Sequence, residues 1–346
     1  MKSRIYLAAS LGGVLWANAV AGQPADAYSA AGYRSIQEAI DCNPNRMIFI
    51  PAGDHAIGQA IRLTTENAGL WGPGRIIQSN PAAAIIEIQG TGIQLRDLAL
   101  TRAEGRMETH QPGVLVQKSA NVSLANVQII DNWGDRASVY VENCRGFQIK
   151  DCFIKNYSRT TIDDRLEVPG NGYAFNAIDG HGLIVRETAD VQIVNNRIIE
   201  TRMIPTRELK EKYRLGNFVK KKAQKGEYIS QKNWDAEYVN NWHQGSALQV
   251  TGPEVSDYVQ ITGNYIENAA QGIDIHADHV VVAHNIVNNA FMGVKALHGA
   301  RNVVIIGNQF SKNDLWGINI NVGWHAHVAV NATATQPARG PAPSES

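Results

Sequence analysis

Four segments of the chain each begin a short alternating run after a small residue, and the residues they share in register are suited to acid–base chemistry. They are Ala247-Leu248-Gln249-Val250-Thr251, Gly272-Ile273-Asp274-Ile275-His276, Gly293-Val294-Lys295-Ala296-Leu297 and Gly317-Ile318-Asn319-Ile320-Asn321. Side chains alternate across an extended strand, so Ile273, Ile275 and their equivalents face one side and Gln249, Asp274, Lys295 and Asn319 the other. Stacked as neighbouring strands, these four polar residues form one column with members about 4.8 Å apart. His276 lies two residues along on the same face, and Leu297-His298-Gly299-Ala300-Arg301 adds His298 and Arg301 at the rim. A surface ion pair between Asp274 and Lys295 would need no function and would add little stability. A line of amide, carboxylate, ammonium and amide suits instead the floor of a saccharide groove.

Two reactions compete for such a floor. β-Elimination from a uronate needs a cation or amide against the carboxylate, a base for the C5 proton and an acid for the departing O4. Lys295, His276, His298 and Arg301 are of the right types, and Tyr173 or Tyr238 could be brought in from elsewhere in the chain. Asp274 beside Lys295 favours the protonated amine, which suits Lys295 to neutralising charge or donating a proton, with His276 or a tyrosine as base. A C5 epimerase shares the first step. Glycoside hydrolysis needs two carboxylates about 5 to 10 Å apart, for which Asp163, Asp164 and Asp179 are the candidates. A Ca²⁺-dependent elimination would want an acidic cluster that Asp274 alone does not supply, so the expectation is a metal-independent reaction without a cofactor. A non-catalytic carbohydrate-binding solenoid is the third reading.

The elements that must position these residues are written in a repeat. Six segments share an apolar-x-apolar pair, a gap, and a further apolar pair. They start at Val122, Phe147, Val191, Val259, Val280 and Val303, at steps of 25, 44, 68, 21 and 23 residues. The basic period is about 22, with one extra period inside the 44-residue step and two inside the 68-residue step. Alternation over four or five residues predicts strands with one buried face, and several strands per period make one coil of a parallel β-helix. Leucine-rich repeats lack this pattern, and a propeller needs a period of about 40 or more. Asn196, Asn264, Asn285 and Asn308 fall in one column, where stacked side chains would hydrogen-bond along the axis at a turn that tolerates left-handed backbone. Cys42, Cys144 and Cys152 are too few for a disulfide framework and are expected to be buried in the stack as small hydrophobes.

At the front of the chain, Ile36-Gln37-Glu38-Ala39-Ile40 reads as a short amphipathic helix that caps one end of the stack. Met47-Ile48-Phe49-Ile50-Pro51-Ala52-Gly53-Asp54-His55 reads as a strand running into a turn. With the coils from about Ile36 to Ile320, these segments resemble the pectate-lyase-like superfamily. That resemblance implies an all-β, single-stranded right-handed parallel β-helix. The superfamily carries lyases, hydrolases, epimerases and phage adhesins, so it fixes no activity. The stretch from Gly272 through Lys295 to Asn308 is similar to β-helical alginate lyases, most nearly polysaccharide lyase family 31. It implies a catalytic lysine at Lys295 with a tyrosine or arginine beside it, Tyr173 and Tyr238 being the candidate tyrosines.

Met1 to Ala21 carries a basic start, an apolar stretch and an Ala-x-Ala site, the pattern of a cleaved secretory signal, so a secreted or periplasmic protein is expected. Residues 22–325 are assigned to the β-helix. Two insertions, about 156–179 and 202–243, are expected as long loops walling the groove. The first is polar and turn-rich. The second carries ten Lys and Arg, Lys221 among them, against three Glu between Arg202 and Lys232, and runs into Trp234, Tyr238, Trp242 and His243. Basic and aromatic groups together suit an acidic sugar chain, with His243, Trp242 and Lys221 as substrate contacts beside Gln249, Asp274, His298 and Asn319. The 32 basic and 32 acidic residues give no net charge that would draw the whole chain to nucleic acid or a membrane. An acidic polysaccharide is the expected partner and a monomer the expected state. Residues 326–346 are rich in Ala, Pro, Ser and Thr and are expected to be disordered.

Overall fold

The computed structural model describes residues 28–321, apart from 135, 161–164, 169–171, 176–177, 203–238, 241–244, 298 and 314–315. The expected signal segment and tail lie outside the described residues.

The chain is an all-β, right-handed parallel β-helix whose coils stack three long sheets along one axis. Among the described residues, sheet one has ten strands and sheets two and three have nine each, every coil giving one strand to each sheet in turn. The register is that of the repeat. In sheet one Val122 pairs with Phe147, Phe147 with Val191, Val191 with Val259, Val259 with Val280 and Val280 with Val303. The 44- and 68-residue steps therefore leave neighbouring coils in contact, and the extra residues leave the stack as insertions.

The interior is filled by like residues in lines. Ile129, Ile154, Ile198, Ile266 and Val287 follow one another on sheet two and are fully buried. Each buried aliphatic side chain of this size contributes about 1.5–3 kcal/mol. At the turn from sheet one to sheet two, Asn196 Nδ2 donates to Asn264 Oδ1, Asn264 Nδ2 to Asn285 Oδ1 and Asn285 Nδ2 to Asn308 Oδ1, each at 2.9 Å. The left-handed backbone falls one residue earlier than the sequence reading placed it, at Asn126, Asp151, Asn195, Gly263, His284 and Gly307. Gly307 has φ of 65°, and a Cβ there would sit 2.6 Å from the ring of His284 in the coil before. Cys152 occupies the asparagine column, its N–H donating to Asn196 Oδ1 at 3.0 Å, and burial pushes its thiol up to about 12. Cys144 is buried too, whereas Cys42 is exposed, contrary to expectation, because it ends a surface helix.

That helix, α1 (Ile36–Cys42), closes the N-terminal end. Ser35 caps it by accepting from Glu38 N–H at 3.1 Å. The Gln37 amide then satisfies both backbone groups of Arg62 on the first strand of sheet three. It accepts from Arg62 N–H at 2.8 Å and donates to Arg62 C=O at 3.2 Å, so the strand edge is not left open.

Candidate active site

Sheet three carries the predicted column. Leu248, Ile273, Val294 and Ile318 pair in succession and face inward, which turns Gln249, Asp274, Lys295 and Asn319 outward on adjacent strands. The glycines that begin these strands are required by packing. A Cβ on Gly272 would collide with the carbonyl oxygen of Gly293, and one on Gly293 with that of Gly317.

Asp274 is the centre of the arrangement. Lys295 Nζ lies 3.0 Å from its Oδ2, Gln249 Nε2 donates to the same oxygen at 3.1 Å, and His276 Nε2 lies 2.9 Å from Oδ1. No donor is aligned on Oδ1, so the His276 contact is one of proximity to the carboxylate. Although these strands alternate, Asp274 is 3% exposed and Lys295 8%, so the outward face is covered at this point. Burial pushes the Asp274 carboxyl up, and the charges of Lys295 and His276, with their hydrogen bonds, outweigh it. The carboxyl is thus held well below the usual carboxylate range. An ionised, desolvated carboxylate holding an ammonium and an imidazole within about 3 Å is a positioning device: it fixes two groups able to exchange protons and gives up none itself.

The other predicted residues fall in different places. Asn319 takes the next rung beside Lys295 and is half-buried. Arg301 is not brought to the pair. The turn after Lys295 delivers it to the start of a sheet-one strand opposite Asp278, where its Nε lies 3.1 Å from Asp278 Oδ2. His298, Lys221, Tyr238, Trp242, His243, Asp163 and Asp164 lie outside the described residues. Tyr173 and Asp179 are described by their backbone. The first insertion, expected as a loop, contains an antiparallel pair of strands, Arg165–Val168 against Gly172–Phe175. The Gly172–Phe175 strand also pairs in parallel with Val239–Asn240, so the two insertions share one small sheet, with Tyr173 opposite Val239. Asp179 pairs with Arg159 across two short antiparallel strands. His181, next to Asp179, accepts from Ser246 N–H at 3.0 Å through Nδ1, which gives it a structural task at the start of two strands.

The sequence reading missed a second group on the same face. Tyr140, Ile184 and Gln249 continue the Asp274 column towards the N-terminal end, and Gln117, Glu142, Arg186 and Thr251 continue the line of His276. Gly182-Leu183-Ile184-Val185-Arg186 has the same glycine spacing as the site strands, which is the signal that would have found it. Tyr140 donates to Glu142 Oε1 at 3.3 Å, and Gln117 donates to Glu142 Oε2 at 3.0 Å. Burial, then the charge of Glu142, pushes the Tyr140 phenol up. On sheet one, Asp257, Asp278 and His279 are the one group among the described residues close enough to share a metal ion. Their donors are already engaged, Asp278 by Arg301 and Asn302 and His279 by Asp257.

No protein-family model matches the sequence, and no curated protein matches it. Solved structures match in shape. The pectin methylesterase from Aspergillus niger does so with a TM-score of 0.50 at 10% identity, covering 85% of this chain and 89% of that one. ORF18 of Geobacillus virus E2 gives 0.48 at 10%, covering 85% of this chain and 59% of that one. The tailspike protein of E. coli bacteriophage HK620, solved with a pentasaccharide, gives 0.47 at 15%, covering 82% and 55%. The chain therefore spans less than two thirds of either viral protein. At these identities the likeness is one of fold.

Proposed function

We propose that the chain is an exported enzyme that cleaves an acidic, uronate-containing polysaccharide by β-elimination, alginate being the first substrate to try. The observation that carries the reading is the Asp274 carboxylate, which holds His276 and Lys295 side by side on the outer face of sheet three. His276, beside the Asp274 carboxylate, is the group assigned as base, imidazole being suited to proton transfer near neutral pH. His276 takes the C5 proton, and the ammonium of Lys295 stabilises the charge that builds on the uronate carboxyl. The C4–O4 bond breaks with its electron pair going to O4, the C4=C5 double bond forms, and the imidazolium returns its proton to O4. Asp274 touches no reacting atom and keeps both partners aligned. The resemblance of the Lys295 strand to family 31 lyases agrees with this assignment, and the fold is one that also carries a pectin methylesterase.

Hydrolysis is the weaker reading at this site, because Asp274 is buried against Lys295 and held ionised, so it does not serve as the acid. C5 epimerisation shares the proton abstraction, and product analysis separates the two. The test is to incubate purified protein with alginate, polygalacturonate and glucuronan while following ultraviolet absorbance and reducing ends. Elimination raises both together, and Lys295→Ala abolishes the absorbance while the thermal transition persists. Reducing ends rising without absorbance would mean hydrolysis. Inverted C5 centres without new ends would mean epimerisation.

A further inference from the structure

The outer face of sheet three has two lines of side chains, and they differ in access. The Asp274 line is buried at Tyr140, Ile184, Asp274 and Lys295 and half-buried at Gln249. The neighbouring line opens towards Arg186: Gln117, Glu142, Thr251 and His276 are half-buried, the His276 side chain about as covered as that of Lys295, and Arg186 is exposed. His276 and Arg186 lie on this one track along the axis, two rungs or about 10 Å apart, with Arg186 at its exposed end. One rung is about the length of a hexopyranose unit, so a chain laid on this track would present successive sugars to successive coils.

Arg186 is the cation of that track, and it is held in a bracket. Its Nε lies 3.3 Å from Glu187 Oε1 and 3.6 Å from Glu142 Oε1. Glu142 is in turn fixed by Gln117 and Tyr140. A guanidinium has five N–H donors in a rigid fork, so contacts through Nε leave donors to spare with their direction set. Beside it, Leu115, Ala137, Tyr140 and Ile184 form a hydrophobic cluster separate from the core, on the outside of the sheet. An oriented guanidinium next to a covered apolar wall is matched to a planar carboxylate on a sugar ring. The same fork would give a neutral sugar only ordinary hydrogen bonds.

We infer that Arg186 forms a distal subsite that takes the carboxylate of a uronate two sugars away from the one at His276. The acidic chain then lies along the helix axis on the Gln117-to-His276 line. The inference rests on the elimination reading for its substrate class, and direct binding tests it without catalysis.

The experiment is calorimetric titration of the full chain with mannuronate, guluronate and galacturonate hexasaccharides, and with their carboxyl-reduced neutral counterparts. Arg186→Met is expected to weaken the preferred uronate hexasaccharide about tenfold or more and to leave the neutral counterpart unchanged. Arg186→Lys restores part of the loss, since a point charge replaces the fork. Arg145→Met, which removes an exposed ion pair with Asp190 on sheet one, is the control and leaves binding unchanged. Uronate binding unaffected by Arg186→Met would overturn the subsite, as would absence of uronate binding by the wild type. Binding that depends on Arg186 in a protein that eliminates none of the three polymers would keep the subsite and reject the reaction.

Discussion

Asp274 sits against Lys295 and His276 at once, and its behaviour in acid follows from that. Its carboxyl is held below the ordinary value of 3.8 in the folded chain, so its contribution to stability is fully present above pH 4. That contribution is lost as the pH falls below this towards the folded-state value. Asp274→Asn leaves Lys295 buried without its counter-charge and is expected to destabilise the fold by about 3–5 kcal/mol near neutrality. Denaturant unfolding from pH 7 to pH 3 should show the gap between wild type and variant narrowing in acid. A constant gap would show that the pair adds no stability. A double variant, Asp274→Leu with Lys295→Met, should recover much of the loss, because an apolar pair replaces a desolvated ionic one. This column was legible in the sequence because strand alternation alone sets which residues share a face. Arg301 was misplaced because nearness along the chain was read as nearness in space. One tight turn carried it to the next sheet, and to Asp278.

At the scale of elements, the coil turns are held by side-chain ladders more than by the turns themselves. Asn285 sits mid-ladder. Its Oδ1 accepts from Asn264 N–H and Nδ2, and its Nδ2 donates to Ile261 C=O and to Asn308 Oδ1. Asn285→Ala strands a buried N–H and a buried carbonyl and is expected to cost about 2–4 kcal/mol in chemical denaturation. Asn126→Gly, which gives up one exposed bond to Asp97 and keeps the left-handed backbone, should cost under about 1 kcal/mol. The asparagines announced the ladder through their period. Cys152, however, carries it on with a different side chain, so only the coordinates reveal that it belongs. A thiol in that column is closed to reagents. Native protein treated with an alkylating agent at pH 8 should lose one thiol, that of Cys42, while denatured protein loses all three. Helix α1 was readable from its apolar spacing, but the Gln37 clasp on Arg62 was not, since the pattern does not say which strand edge the helix meets.

Taken whole, the molecule is nearly one-dimensional: each coil touches the coil before and the coil after, and its stability is a sum of such contacts. The N-terminal coil has α1 over its end. The last described coil has inward-facing Ile318 and Ile320 at 44% and 64% exposure, so its neighbours on one side are missing among the described residues. Amide hydrogen exchange is expected to be slowest in the central strands Arg145–Lys150 and Ala189–Val194 and to quicken towards Trp316–Asn321. Uniform protection along the axis would show that the stack opens as one unit. The period made the solenoid visible in the sequence. The sheet shared by the two insertions was not visible, because it does not belong to the repeat.

The contact between Asn196 and Asn264 spans 68 positions of sequence yet is as short as those between adjacent coils. Between them lie the three strands of one coil, Arg197–Ile199, Ser246–Thr251 and Val259–Thr262, and an insertion that leaves the register of the stack unchanged. Lengthening such an insertion costs little, about 0.6 kcal/mol for each doubling. A chain severed between 203 and 238 would leave two pieces joined by the full register of three sheets. The stack could therefore be supplied as two polypeptides that find each other, with the severed segment free to be exchanged for another of unrelated length.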